Sequence, residues 1–210
     1  MESPHDAPLD LRAGDRVGLF GGSFNPPHLA HLAVAEAARD QVGLDRVLWM
    51  PAAVPPHKQH RHLPAPAHRL AMTRLAVEGN EAFAVSDLEI ARSGVSYTVD
   101  TVRTLQETYP ETEFRLLLGG DSLAQFASWV QPEEIVSRVP LIVYPRPGAD
   151  LAGVPPYVMA RTTLLDRPLL DPSSTAIRRL LRAGRSVRYL VPDAVLAYVA
   201  EHRLYDGMDD

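Results

Sequence analysis

A chain of 210 residues with 46% hydrophobic content is long enough to bury a real core and fits one domain. Its formal charge of −5 speaks against a broad surface for nucleic acid, where neutralising many phosphates supplies the affinity, yet a small phosphorylated ligand needs only a local cluster of donors. No stretch approaches the roughly 20 apolar residues of a membrane span, the Met-Glu-Ser-Pro start lacks the order of a secretory signal, and cysteine is absent, which excludes disulfides and thiolate chemistry; a cytoplasmic protein is expected.

Residues 1–15 form a polar lead expected to be flexible. Residues 16–20 then read as a short buried strand running into Gly21-Gly22, and 27–42 as a helix with Leu29, Leu32, Ala33, Ala37 and Val42 near one face and Gly43 as its stop. A second strand over 46–50 is reached through a connection too long for a hairpin, which predicts a parallel βαβ unit. Residues 67–77 read as helix, 82–85 as strand and 98–109 as a helix ended by Pro110. The apolar run 114–118 ends on Gly119-Gly120; helical pieces over 122–126 and 133–138 precede a strand over 140–144. A late strand is predicted over 157–160, helices over 175–183 and 193–202, and a tail over 206–210. There is no repeat, and the 19 prolines concentrate in loops, notably 51–66 and 145–156. Strands that keep alternating with helices predict an α/β fold: a doubly wound, Rossmann-like, mostly parallel sheet with helices on both faces. A single domain is expected over 16–205, its C-terminal part from about 173 being small and helical.

The most informative segment is Gly21-Gly22-Ser23-Phe24-Asn25-Pro26-Pro27-His28-Leu29-Ala30-His31, placed where a strand ends and a helix begins. At that junction the free amides of the first helical turn and the helix dipole attract anions. Glycines let the backbone approach a phosphate, and Pro27 suits a first helical position because its missing N–H has no partner there. His28 and His31, three apart, share a helix face and can donate to phosphate oxygens. Read blandly, the segment is a turn followed by surface histidines.

Other segments carry weaker signals. Pro55-Pro56-His57-Lys58 puts a cation on a stiff loop, suited to a second phosphate. Ser96-Tyr97-Thr98 precedes a helix, with Ser96 or Thr98 as cap. Asp121, after Gly119-Gly120, is placed to accept from ribose hydroxyls or to cap a helix; Trp129 can stack on a planar base or fill core. Ser173-Ser174-Thr175-Ala176-Ile177-Arg178 offers amides, hydroxyls and a guanidinium to one anion, and read alone is a well-capped helix. His57, His60, His62 and His68 crowd one loop with metal-binding spacing, although no cysteine or nearby carboxylate completes a tetrad.

The opening motif resembles the His-x-Gly-His signature of the nucleotidyltransferase superfamily, with Ala30 where that family usually has glycine. Taken in order, Pro-Pro-His-Lys, Ser-Tyr-Thr, Gly-x-Asp, the tryptophan and Ser-Ser-Thr-x-Ile-Arg resemble the bacterial nicotinate mononucleotide adenylyltransferases over about residues 16–205, with Pro172 replacing an aliphatic residue. The resemblance implies ATP and nicotinate mononucleotide as substrates, deamido-NAD and pyrophosphate as products, and Mg²⁺ bound mainly through the ATP phosphates, with no protein metal site. It implies catalytic roles for His28, His31 and Arg178, and ATP contacts from Gly21, Gly22, Ser23, Phe24, Gly119, Asp121, Ser174 and Thr175. Lys58, Tyr97, Thr98 and Trp129 are implied on the mononucleotide side. Alternatives are a transferase preferring nicotinamide mononucleotide, one acting on phosphopantetheine or by cytidylyl transfer, and a non-catalytic nucleotide sensor. A homo-oligomer is left open.

Overall fold

The computed structural model describes residues 9–56, 63–145, 148–166 and 172–206. Among them the strands β1 (Arg16–Gly22), β2 (Arg46–Pro51), β3 (Phe83–Val85), β4 (Glu113–Gly119), β5 (Leu141–Tyr144) and β6 (Thr162–Leu164) form one parallel sheet, ordered β3-β2-β1-β4-β5-β6. The inner strands are continuous apolar runs because both sheet faces are covered. Strand alternation divides them: Val17, Leu19, Leu48, Leu116, Leu118 and Leu141 face one layer, with α4 (Thr98–Thr108) and α6 (Pro132–Arg138). Phe20, Val47, Trp49, Leu117 and Ile142 face the other, with α1 (Leu29–Val42) and α2 (Pro66–Val77). Such double burial fixes the register, since a one-residue slip would exchange the two faces.

The strand order reverses between β1 and β4, which opens a crevice at their carboxyl ends. A third apolar cluster, with Met72, Ile177, Val195 and Val199, packs α8 (Ser174–Arg182) and α9 (Asp193–Glu201) against α2 and so brings the C-terminal helices to that crevice. Of the N-terminal lead, Leu9 and Leu11 pack at the margin of the core, and the Leu9 N–H donates to the Tyr109 hydroxyl at 3.1 Å. No helix among the described residues is long and apolar enough to cross a membrane.

The structure corrects two readings and adds one element. The fully buried stripe of α1 is Ala30, Val34, Ala35 and Ala38; of the predicted face, Leu32 and Val42 pack partly buried against the same cluster, whereas Leu29, Ala33 and Ala37 do not belong to it. In an alanine-rich helix two stripes compete, and the one with smaller side chains lets the backbone approach the sheet more closely. The segment predicted as a late strand is helix α7 (Pro156–Met159), because Pro155-Pro156 suits a helix start; the strand follows as β6, a solvent-facing edge with polar threonines instead of an apolar run. The helix α3 (Leu88–Arg92) is too short to leave a periodic signal.

Candidate active site

Between β1 and α1 the chain turns sharply at Phe24, whose φ of +42° is rare for a side-chain-bearing residue. Packing holds it there: the ring is buried, edge-on to Phe20 at 5.5 Å and to His31 at 5.3 Å. The loop's acceptors are held from several elements. Arg69 Nη1 donates to the Ser23 carbonyl at 3.2 Å, Arg178 Nη1 to the Asn25 carbonyl at 2.9 Å, and Ser174 Oγ to the Pro26 carbonyl at 3.0 Å. The Tyr205 hydroxyl donates to Asn25 Oδ1 at 2.8 Å, and the Leu29 N–H to the Leu190 carbonyl at 2.9 Å. The C-terminal helices therefore work as a brace for this loop.

His28 is the N-cap of α1, with extended backbone, so Pro27 lies ahead of the helix and not at its first position as the sequence suggested. The imidazoles of His28 and His31 stack, centroids 3.7 Å apart and planes 24° from parallel. The His28 backbone N–H donates to His31 Nδ1 at 3.2 Å. That bond requires a lone pair on Nδ1, so neutral His31 carries its proton on Nε2 and offers it as a donor.

Both rings open on a cavity of about 270 Å³ at the carboxyl ends of β1, β4 and β5. Gly21, Gly22, Ser23 and Phe24 form one wall; Ser174, Thr175 and Arg178 from the start of α8 form another, and Asp121 of the short helix α5 (Gly120–Ala124) also lines the cavity. Ser173 caps α8 by accepting the Ala176 N–H at 3.2 Å. Since the Ser174 hydroxyl is donated to Pro26, the side-chain donors that α8 turns toward the cavity are chiefly Thr175 and Arg178, themselves joined at 3.2 Å. Gly119 does not line the cavity; it lies under Asp121, where a β-carbon would stand 2.5 Å from that residue's Oδ1. Asn25, Ser122 and Tyr144 also line it and had no assignment from sequence. Tyr144 arrives only because β5 pairs with β4.

A second cavity, about 130 Å³, brings together Tyr97, Thr98 and Trp129 with Pro56 and Ser96. Tyr97 is the N-cap of α4, so neither Ser96 nor Thr98 has that role. Ser96 Oγ instead accepts the Ala53 N–H at 2.9 Å, tying this wall to the segment after β2. Beneath lies Glu89, whose carboxyl burial pushes above the ordinary range against hydrogen bonds from Thr101 and Ser96 and the nearby Arg92 charge. Arg103 grips Glu134 with two nitrogens, at 2.8 and 2.5 Å, locking α4 to α6; with Arg138 it lowers the Glu134 carboxyl to about 2.

Comparison with known proteins places this architecture. Residues 19–180 match the family described as cytidylyltransferase-like. A relative from Salinibacter ruber, named as a probable nicotinate-nucleotide adenylyltransferase, is 55% identical over 193 residues, covering 92% of this chain and 99% of its own. The chain belongs to the nicotinate-nucleotide adenylyltransferase family. A Synechococcus relative of the same name is 47% identical over 195 residues, 90% of this chain and 94% of its own. The Plasmodium falciparum nicotinic acid mononucleotide adenylyltransferase shares the fold, in complexes with APC (TM-score 0.75) and with NaAD (TM-score 0.76). At 20% identity, covering 91% of this chain and 97% of those chains, these two speak for the fold alone.

Within this adenylyltransferase, Ala30 is buried in α1 and does not line the larger cavity, so its methyl group faces protein where the family usually has glycine. Lys58, His57, His60 and His62 lie outside the described residues; His68 is described, and its Nδ1 is 2.9 Å from the Tyr198 hydroxyl. Among the described residues no three His, Asp or Glu side chains converge as metal ligands. Among the described residues Asp121 is the one carboxylate that lines the larger cavity, and such a donor set fits a Mg²⁺ held by phosphate oxygens and water, as this cation is commonly bound.

Proposed function

We propose that the chain transfers the adenylyl group of ATP to nicotinate mononucleotide in NAD biosynthesis, giving deamido-NAD and pyrophosphate. The observation that carries this reading is the stacked His28–His31 pair, which faces Thr175 and Arg178 across one cavity at the sheet's switch point. The mononucleotide 5′-phosphate oxygen attacks the α-phosphorus; the new P–O bond forms as the α–β anhydride bond breaks and pyrophosphate leaves. That phosphate is already ionised at neutral pH, so no protein nucleophile is needed and alignment and charge stabilisation carry the rate.

His28 and His31 donate to the ATP phosphates, His31 through Nε2, and Arg178 with Thr175 holds the β and γ end as it becomes the leaving group. Gly21, Gly22, Ser23 and Phe24 shape the wall that the triphosphate approaches, while Ser174 secures that wall through Pro26. Asp121 accepts from the ribose, with Gly119 leaving it room. Tyr97, Thr98 and Trp129 take the pyridine ring, and Lys58 is assigned to the mononucleotide phosphate. Mg²⁺, when bound on the triphosphate, supplies further neutralisation of phosphate charge. The same reading places the enzyme and both substrates in the cytoplasm.

The test is pyrophosphate release with ATP and Mg²⁺, run in parallel with nicotinate and nicotinamide mononucleotides. Turnover at least tenfold more efficient with the acid is expected. Preference for the amide would overturn the substrate, and no release with either would overturn the activity.

A further inference from the structure

Arg69 is 1% exposed, yet among the described residues no carboxylate pairs with it. Its three nitrogens go to backbone carbonyls: Nε to Pro64 at 3.1 Å, Nη1 to Ser23 at 3.2 Å and Nη2 to Ala53 at 2.8 Å. Burial lowers the guanidinium to about 10, so it remains a cation at neutral pH. A desolvated charge is an expensive way to fill space, and an apolar side chain of similar volume packs at less cost. What the planar fork adds is geometry, since its donors hold three oxygens at fixed separations, which a single ammonium does not do.

Of the three residues only Ser23 lines a cavity itself; Ala53 and Pro64 lie on the segment that reaches both. Ser23 stands on the loop that lines the larger one. Ala53 and Pro64 stand near the two ends of the segment between β2 and α2, whose Pro56 lines the smaller cavity and whose Leu63 lines the larger. From Ala53 the connection continues: its N–H donates to Ser96 Oγ at 2.9 Å, and the Ser96 N–H donates to the Val54 carbonyl at 3.0 Å. Ser96 is itself buried and sits directly before Tyr97 and Thr98 on the smaller cavity. A continuous path of short bonds thus runs Ser23, Arg69, Ala53, Ser96.

We propose that Arg69 is a positioning residue that couples the two substrate sites, setting the separation between the triphosphate loop and the mononucleotide pocket. The inference rests on the two-substrate reading above. Filling one cavity orders one end of the path, and the rigid fork passes that order to the other, so each ligand tightens the other reciprocally.

The experiment measures calorimetric binding of an ATP analogue with a methylene α,β bridge, with and without saturating nicotinate mononucleotide. It compares wild type, Arg69→Lys, Arg69→Met and the stability control Val195→Ala, whose side chain is buried in the C-terminal cluster and lines neither cavity. In wild type the mononucleotide is expected to tighten analogue binding at least fivefold, within the usual range of such couplings. In both Arg69 variants that factor falls to within twofold of one, and kcat falls at least tenfold while the Kd of each ligand measured alone changes less. Val195→Ala loses thermal stability and keeps the factor. Arg69→Lys retains the charge and covers the case in which Arg69→Met does not fold.

Coupling preserved in either Arg69 variant would overturn the proposal, as would equal loss in Val195→Ala. Wild type that releases pyrophosphate but binds its ligands independently would overturn the coupling alone. Wild type that neither binds the mononucleotide nor turns over would overturn the functional reading and the coupling with it.

Discussion

Replacing Gly119 by alanine tests whether Asp121 is aimed by the space beside it. Gly119 has φ −81° and ψ 158°, a conformation open to any residue, so the substitution brings no backbone strain. The steric effect is local: the new methyl group would stand 2.5 Å from Asp121 Oδ1 and 3.0 Å from the Tyr144 ring and hydroxyl. Ordinary contact begins near 3.4 Å, so the carboxylate must retreat by about 1 Å. Asp121 is exposed and can rotate, so the folding cost sits at the low end of overpacking, about 1 kcal/mol. In a domain of this size that lowers Tm by about 2–4 °C. A ribose hydrogen bond lengthened by about 1 Å is lost, and a bond to a charged group contributes about 1.5–3 kcal/mol. The KM for ATP should therefore rise roughly ten- to hundredfold, with the mononucleotide KM nearly unchanged. Steady-state pyrophosphate release against each substrate, with a thermal melt, measures all three quantities. An ATP KM within twofold of wild type would refute the placement of Asp121 on the ribose.

His28→Ala and His31→Ala should each lower kcat by about two orders of magnitude or more with far-UV circular dichroism unchanged, the scale of losing a transition-state donor; turnover near wild type would remove the role. Trp129→Ala should raise the mononucleotide KM about tenfold and leave that of ATP unchanged, because Trp129 lines the smaller of the two described cavities and not the larger. Glu89→Gln should become progressively more stable than wild type as pH rises. Burial raises the Glu89 carboxyl above its ordinary 4.5, so its contribution to stability is complete below that value and is lost as pH climbs through the folded-state pKa. Melting curves from pH 5 to pH 8 check this, and a constant difference between the two proteins would contradict it.

Much of the fold was readable because the inner strands are buried on both faces and so appear as largely apolar runs, those of β1 and β4 ending on glycines. Elements whose residues escape that rule were misread. β6 is a polar edge, α1 offers two competing apolar stripes, and α3 is barely one turn long. The site divides in the same way. Contiguous pieces such as the Gly-Gly loop with His28 and His31, or the Ser-Ser-Thr start of α8, announce themselves because a local backbone shape and its chemistry coincide. Arg69, Tyr205 and Tyr144 lie in stretches that read as ordinary helix, chain end and strand.

By itself, then, the sequence determined the alternation of strands and helices, the loop where β1 meets α1, and the chemical character of the cavity's donors. Tertiary structure alone decided which oxygens those donors hold. Asn25 accepts from Tyr205, 180 positions away, and from Arg178, 153 away, and Ser174 reaches Pro26 across 148. Spacing along the chain carries local geometry only over a few residues, whereas a hydrogen bond depends on tenths of an ångström set by how helices and sheet pack. The stacking of His28 on His31 shows both causes at once: three residues of sequence make it possible, and the buried rings of Phe20 and Phe24 hold it against the cavity.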